Sequence, residues 1–167
     1  MVAAAAALVL VPRNDTRSKG SFSLSPYVLH PESAATGRLH LGEPLHPGDR
    51  VEFRYNGARG GYLAVVSVDE SGIVSVYYPA GSSAAAVEAG REVELPSAVE
   101  LDGTLGRETV VAVRCDRAVA VADVVRAAEN AAKDARARGA SPAELGPLGL
   151  PCDESRHPIA KTARPGP

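Results

Sequence analysis

Four histidines, two cysteines and a scatter of serines and acids are the side chains of this sequence that could do chemistry. His46 and Asp49 lie together in His46-Pro47-Gly48-Asp49. A histidine beside an aspartate is half of a nucleophilic triad, and its nucleophile would be Ser67, Ser71 or Ser75. None of these serines sits in the Gly-x-Ser-x-Gly elbow that aims a hydroxyl at a substrate. His30, His40, His46 and His157 form no HxH or HxxxH pair, so metal-ligand spacing is missing and they read as turn and strand-edge imidazoles. Glu70, Glu100 and Asp102 are candidate cation ligands, but a calcium loop needs denser oxygen donors than these. Gly57-Ala58-Arg59-Gly60-Gly61 lacks the Lys-Ser/Thr of a phosphate loop and is flanked by strand patterns, so it reads as a hairpin loop. These patterns imply no cofactor, no metal and no enzyme.

Cys115 and Cys152 belong to no CxxC and no Cys/His cluster, which argues against zinc. Two readings stand. Cys115 ends an apolar run and suits a buried thiol in a cytosolic protein. Alternatively, one disulfide ties the C-terminal segment to the last core strand, as an exported chain would favour. Closing such a loop contributes about 3–4 kcal/mol on the chain-entropy model. Consecutive Tyr77 and Tyr78 face opposite ways on a strand, which turns one outward beside a flexible Pro79–Gly90 loop. With Arg59 in the nearby glycine-rich loop they are the candidate interaction surface, suited to a peptide or sugar, the alternative being that the outward tyrosine covers a sheet edge.

The elements that must hold these residues follow from periodicity. Apolar residues alternate in Phe22–Leu29 with a shift at Pro26, in Leu39–Gly42, and in Val51–Tyr55. His46–Asp49 has Pro and Gly in the central positions of a type II turn. Tyr62–Val68 and Ile73–Tyr78 are strands joined by Asp69-Glu70-Ser71-Gly72, with Val74, Val76 and Tyr78 expected on one face. Arg91–Leu95, Val99–Leu101 and Glu108–Cys115 continue the strand pattern. The period then lengthens: Val121, Val124, Val125, Ala128, Ala132 and Ala135 mark an amphipathic helix over about 119–138, stopped by Gly139. Its alanine-faced second half is expected to be exposed or loosely packed, and the helix to cross an end or edge. Ser141-Pro142-Ala143-Glu144 is a capping box for a short helical turn. Pro147–Cys152 reads as loop, and Arg156–Ala163 as a last strand weakened by Pro158. This pattern predicts a mainly β chain: an immunoglobulin-like antiparallel sandwich of about seven strands with one C-terminal helix.

The formal net charge of -2 and the lack of a basic stripe argue against nucleic acid. Hydrophobic residues make up 45% of the chain, but 29 are Ala and only 2 are Ile, so the usable core is smaller than that figure suggests. The bias to Ala, and to 15 Arg over 3 Lys, is what a GC-rich genome produces. Residues 1–12 are an apolar segment too short to span a bilayer, which needs roughly twenty residues, and read as the remnant of a membrane anchor or signal. Residues 13–20 are a polar linker, 21–163 a single domain, and 164–167 a tail.

Three stretches, "LHPGDRVEFRY", "GGYLAVVSVDESGIVSVYYPAG" and "ELPSAVELDGTLGRETVVAVRCD", resemble a bacterial cell-envelope domain of unknown function, the domain of unknown function 4384 type. The resemblance covers Arg17 to Cys152, and its most specific parts are the hairpin and "LDGTLGRE". In many relatives this domain follows a single membrane helix, preceded by a cytoplasmic zinc-finger module of anti-sigma-factor type. "RSKGSFSLSPYVL" is similar to the stretch just after that helix. The resemblance implies that Ala3–Val11 belong to the anchor, and that Cys115 and Cys152 are the cysteine pair relatives often carry, which favours the disulfide. It carries no catalytic residue. The chain departs from the pattern in lacking the cytoplasmic module and most of the anchor, and in Pro158. The expected function is therefore a non-enzymatic sensing or interaction module, periplasmic or on the extracytoplasmic face of the inner membrane, with a cytoplasmic location as the alternative. Its partner would be another envelope protein or a peptide, and it would meet the membrane only through the missing anchor. The alternatives are a small envelope enzyme or carbohydrate-binding domain, and a structural assembly subunit pairing through an edge strand.

Overall fold

Two periods divide the chain, and both fold as written. The period-two segments form strands and the late period of 3.6 forms one helix. The computed structural model describes residues 22–29, 36–39 and 43–164. Within them the strands are β1 (Ser23–Leu29), β2 (Thr36–Arg38), β3 (Pro44–Leu45), β4 (Arg50–Gly57), β5 (Gly61–Asp69), β6 (Val74–Tyr78), β7 (Ala85–Val87), β8 (Gly90–Glu94), β9 (Val99–Glu100), β10 (Gly106–Cys115) and β11 (Cys152–Lys161). The helix α1 is Val121–Ala137, and a 3-10 turn follows at Pro142–Glu144. Seven of these strands have five or more residues, and the others are two- or three-residue pieces that prolong an edge. The expected N-terminal segment and linker, the tail beyond 164, His30 and His40 lie outside the described residues, as does most of the expected strand over 39–42.

One sheet runs β2-β1-β4-β8, with β9 beside β8 along β4. The other runs β3-β11-β10-β5-β6, with β7 prolonging the β6 edge of β5. Pairing is antiparallel except for β3 on β11, which is parallel. Phe22, Leu24, Val28, Val51, Phe53 and Tyr55 of the first sheet meet Leu63, Val65, Val110, Ala112 and Ile159 of the second in one dry layer. The predicted mainly β sandwich is thus the observed architecture.

The helix is placed differently from the expectation. It covers the outer face of the second sheet, where Val124, Ala128, Ala131 and Ala132 pack on Ala64, Val66, Val68, Val111 and Val113. Its alanine half is buried, with Ala128 and Ala135 at 0% exposure. Alanine lets the helix backbone approach the sheet closely, so a thin side-chain face is what this contact requires. The helix ends in a Schellman motif: Ala140 N–H donates to the Ala135 carbonyl at 3.0 Å, Gly139 N–H donates to the Arg136 carbonyl at 2.9 Å, and Gly139 takes φ +76°. At the other end the 82–84 segment does the capping, since Val121 N–H donates to the Ser82 carbonyl at 2.8 Å. The layers are therefore sheet, sheet and helix.

Three further segments depart from their reading. The Pro79–Gly90 stretch is not wholly loop, because it contains β7. The last strand starts at Cys152 and runs the full length of β10, from Cys115↔Cys152 to Gly106↔Lys161. Pro158 sits before β3 joins at Ala160, on a still open edge where a missing N–H breaks no ladder bond. In β6 the register shifts between Val65↔Tyr78 and Val66↔Val76. That bulge turns Tyr77 and Tyr78 toward the same inter-sheet core instead of opposite faces.

Burial of Ala128 between helix and sheet gives a direct check. Ala128→Leu will overpack that contact and cost about 1–3 kcal/mol. The exposed Ala122→Leu will stay within about 0.5 kcal/mol of the parent. Urea unfolding measures both, and equal midpoints would contradict the helix placement.

Candidate functional site

The face shared by the two sheets is apolar in its middle and ionic at both ends. Along β10 that face carries Glu108, Val110, Ala112 and Arg114. Along β11 it carries Asp153, Ser155, His157, Ile159 and Lys161, each beside β10. The two ends are six residues apart on β10, roughly 20 Å in a strand.

At the Glu108 end a half-enclosed cavity of about 180 Å³ is lined by Ser67, Ser75, Tyr77, Glu108, Lys161 and the Val99–Asp102 segment, among others. Glu108 and Lys161 are 3% and 5% exposed. The Lys161 ammonium sits 2.9 Å from Glu108 Oε2 and donates to Asp102 Oδ1 at 2.8 Å. Tyr77 donates its phenolic proton to Glu108 Oε1, and its ring lies 5.9 Å from that of Phe53. The 96–105 segment reaches this position because it is stitched to the His46–Asp49 turn. Gly48 N–H donates to the Leu101 carbonyl and Leu101 N–H to the Asp49 carbonyl, both at 2.9 Å. Gly48 takes φ +85° in that turn, the left-handed geometry its type II form needs.

The electrostatics lock these groups. Burial pulls the Lys161 pKa down, but hydrogen bonds and charge from Asp102 and Glu108 outweigh it and hold the ammonium above its ordinary value. Lys161 in turn lowers the Asp102 carboxyl, with help from Thr104. Burial raises the Tyr77 phenol well above its ordinary value, and the adjacent Glu108 raises it further.

At the other end Arg114, buried but for 4% of its side chain, donates to Asp153 through Nε at 2.9 Å and Nη2 at 2.6 Å, and also to Asp116 and the Gly60 carbonyl. Gly61 at φ +154° is forced here: a Cβ would come within 2.5 Å of the Cys115 carbonyl. Beside this cluster the Cys115–Cys152 disulfide bridges β10 and β11 where the two residues face each other across the ladder.

The predicted contact residues do not share a surface. Arg59 lies at the Arg114 end, 3.6 Å from Asp116 and 3.9 Å from Asp153. Tyr77 lines the cavity at the Glu108 end, and Tyr78 packs on the inter-sheet core. The triad candidates stay apart as well. Asp49 accepts from the His46 backbone N–H at 2.8 Å and from Arg164 at 2.9 Å, while the His46 ring faces the Thr162 carbonyl at 2.9 Å. His46 and Asp49 do not line the cavity that holds Ser67 and Ser75. Glu70 pairs with Arg107 at 2.9 Å, whereas Asp102 pairs with Lys161. Among the described residues no three His, Cys, Asp or Glu side chains converge on a metal position.

Sequence reasoning missed Glu108, Lys161 and Arg114. One signal was available: Leu63, Val65 and Ser67 alternate inward on β5, so a polar group at Ser67 marks where the apolar layer stops.

Residues 45–117 match the model of a family described as a domain of unknown function (DUF4384). The match is narrower than the expected Arg17–Cys152. It takes in β4 to β10, and with them Ser67, Tyr77, Asp102 and Glu108, but not α1, β11, Lys161 or Cys152. No curated protein and no solved structure matches the chain.

Two outcomes follow from the buried charges. Lys161→Met will leave Glu108 without its counter-charge and cost about 3–5 kcal/mol. Adding Glu108→Gln will recover part of that loss, so the double-mutant cycle will give a coupling well above about 0.5 kcal/mol. Additive costs would contradict the pairing. Separately, burial holds His157 below the ordinary value of 6.5, opposed by a bond to the Leu24 backbone and reinforced by the Arg38 charge. The unfolded chain then binds the extra proton first, so stability is present above about pH 6.5 and lost as pH falls below it. Denaturant titrations on either side of that value, at about pH 7.5 and about pH 5.5, will show a smaller loss for His157→Gln than for the parent. Equal losses would contradict this.

Proposed function

We propose that this domain is a non-enzymatic sensing or interaction module on the extracytoplasmic side of a bacterial inner membrane. It belongs to an envelope protein of anti-sigma-factor-like organisation and contacts another envelope protein or a peptide. The observation that carries this reading is the hydrogen-bond and ion-pair geometry that locks the cavity's Lys161, Tyr77 and Glu108 onto one another. A lysine or a tyrosine serves as a general base only if it gives up its proton near neutral pH. Lys161 is clamped as an ammonium between two carboxylates, and the Tyr77 phenol is pushed away from ionisation. Ser67 has neither an imidazole nor a free amine beside it among the cavity-lining residues. The arrangement suits fixed recognition of a polar group.

The compartment is supported by the disulfide, since such bonds persist in oxidising surroundings. Among the described residues no helix is long and apolar enough to cross a membrane. The anti-sigma-factor setting follows the family resemblance of the hairpin and the "LDGTLGRE" turn.

Thiol trapping in the native cells tests the compartment. Acid-quenched cells treated with a mass-tagged maleimide under denaturing conditions will show no tag before reduction and two after it. Two tags before reduction would overturn the extracytoplasmic assignment. In the purified protein, Cys115→Ser with Cys152→Ser will lower unfolding free energy by about 3–4 kcal/mol, the chain-entropy value for a closed loop of this length.

A further inference from the structure

Strand β6 pairs with β5 on one side, and no described residue pairs with its other edge. Exposed edges are usually blunted by charge, proline or brevity. The other long edge strands follow that rule: β8 carries Arg91, Glu92 and Glu94, and β11 carries Asp153, Glu154, Arg156 and Pro158. Of the short ones, β2 ends in Arg38 and β7 has three residues. The Ile73–Tyr78 stretch carries no charge and consists of β-branched and aromatic residues around one serine. Two of the three large apolar side chains exposed among the described residues are here, Ile73 at 63% and Val76 at 43%. An uncharged, β-prone, apolar edge is a template for another strand.

The sequence of the edge says which strand. Ile73-Val74-Ser75-Val76-Tyr77 reads the same by class in both directions: large apolar, Val, Ser, Val, large apolar. Residues directly opposite in an antiparallel pair point to the same face. A two-fold axis at Ser75 therefore sets Val74 against Val76 of a second copy on the helix side. On the cavity side it sets Ile73 against Tyr77, and Ser75 against itself. The faces agree with the fold: Ile73, Ser75 and Tyr77 all line the cavity, while Val74 packs on the helix-side core. The paired stretch carries no charge, and both exposed apolar side chains fall within it. This self-match favours a second copy over a partner strand of unrelated sequence.

We propose that β6 is a homodimerisation edge. Two copies pair antiparallel through Ile73–Tyr77 about a two-fold axis at Ser75, joining their second sheets into one. The interface is isologous and small, so the dimer is in concentration-dependent exchange with monomer. This inference is independent of the compartment assigned above.

Sedimentation equilibrium on the full chain, from about 1 μM to 1 mM, tests it. The parent mass will rise from monomer toward dimer, and Val76→Lys will shift the association midpoint by at least about tenfold. Because a lysine there could also perturb the fold, Ser75→Cys gives a second readout. Under air oxidation this variant will form a disulfide between the introduced thiols of two copies, located by peptide mapping, while the exposed Ser97→Cys will not. A parent that stays monomeric throughout the range would overturn the proposal. So would association that Val76→Lys leaves unchanged, or crosslinking by Ser97→Cys equal to that by Ser75→Cys.

Discussion

Strand β10 has no solvent-facing side between Glu108 and Cys115, and that constraint organises the rest of the domain. Its backbone is paired along both edges, by β5 and by β11. Its two side-chain faces are covered by the first sheet and by α1. A strand buried on four sides must be apolar on both faces, and Val110 to Val113 are. The small size of these residues lets a sheet on one side and an alanine-faced helix on the other approach together. Within the buried span of β10, charge survives only toward the ends, at Glu108 and Arg114, where each finds an ion-pair partner.

Much of this was legible in one dimension. The Tyr62–Tyr78 hairpin, the alternation of Val51–Tyr55 and the change of period after Cys115 all survive in the structure, because each is a local pattern that tertiary packing reinforces. What periodicity could not carry was partnership. Ala128, Ala132 and Ala135 give the same stripe whether a helix lies on a sheet or in water, and only the facing Ala64 and Val66 decide between these. A period of two puts Tyr77 and Tyr78 on opposite faces, and one bulge overrides it. Glu108 and Lys161 look like polar strand ends in sequence. They become buried because β11 pairs along β10 and brings the two side chains together, under the Tyr77 ring and the segment that carries Asp102.

The two ionic ends differ in kind. At the Arg114 end the guanidinium ties Asp153 and Asp116 together beside the disulfide where β10 meets β11, and these groups line a shallow surface pocket. At the Glu108 end the same inter-sheet layer opens into a cavity. A buried ion pair gains little net stability over an apolar replacement, because desolvation offsets its attraction. Keeping Glu108, Lys161 and Tyr77 in one network fixes polar groups in place at an opening, as the interaction role proposed above requires. The uncharged β6 edge borders that same opening through Ile73, Ser75 and Tyr77.

If β10 is the shared wall of both cores, the sandwich and the helix are one cooperative body. Native-state hydrogen exchange measures this directly. The amides of Val110–Val113 and those of Ala128–Ala132 will exchange with the same free energy, equal to that of global unfolding. Helix amides that open several kcal/mol more easily than those of β10 would show α1 to be a detachable cover, and would contradict the account.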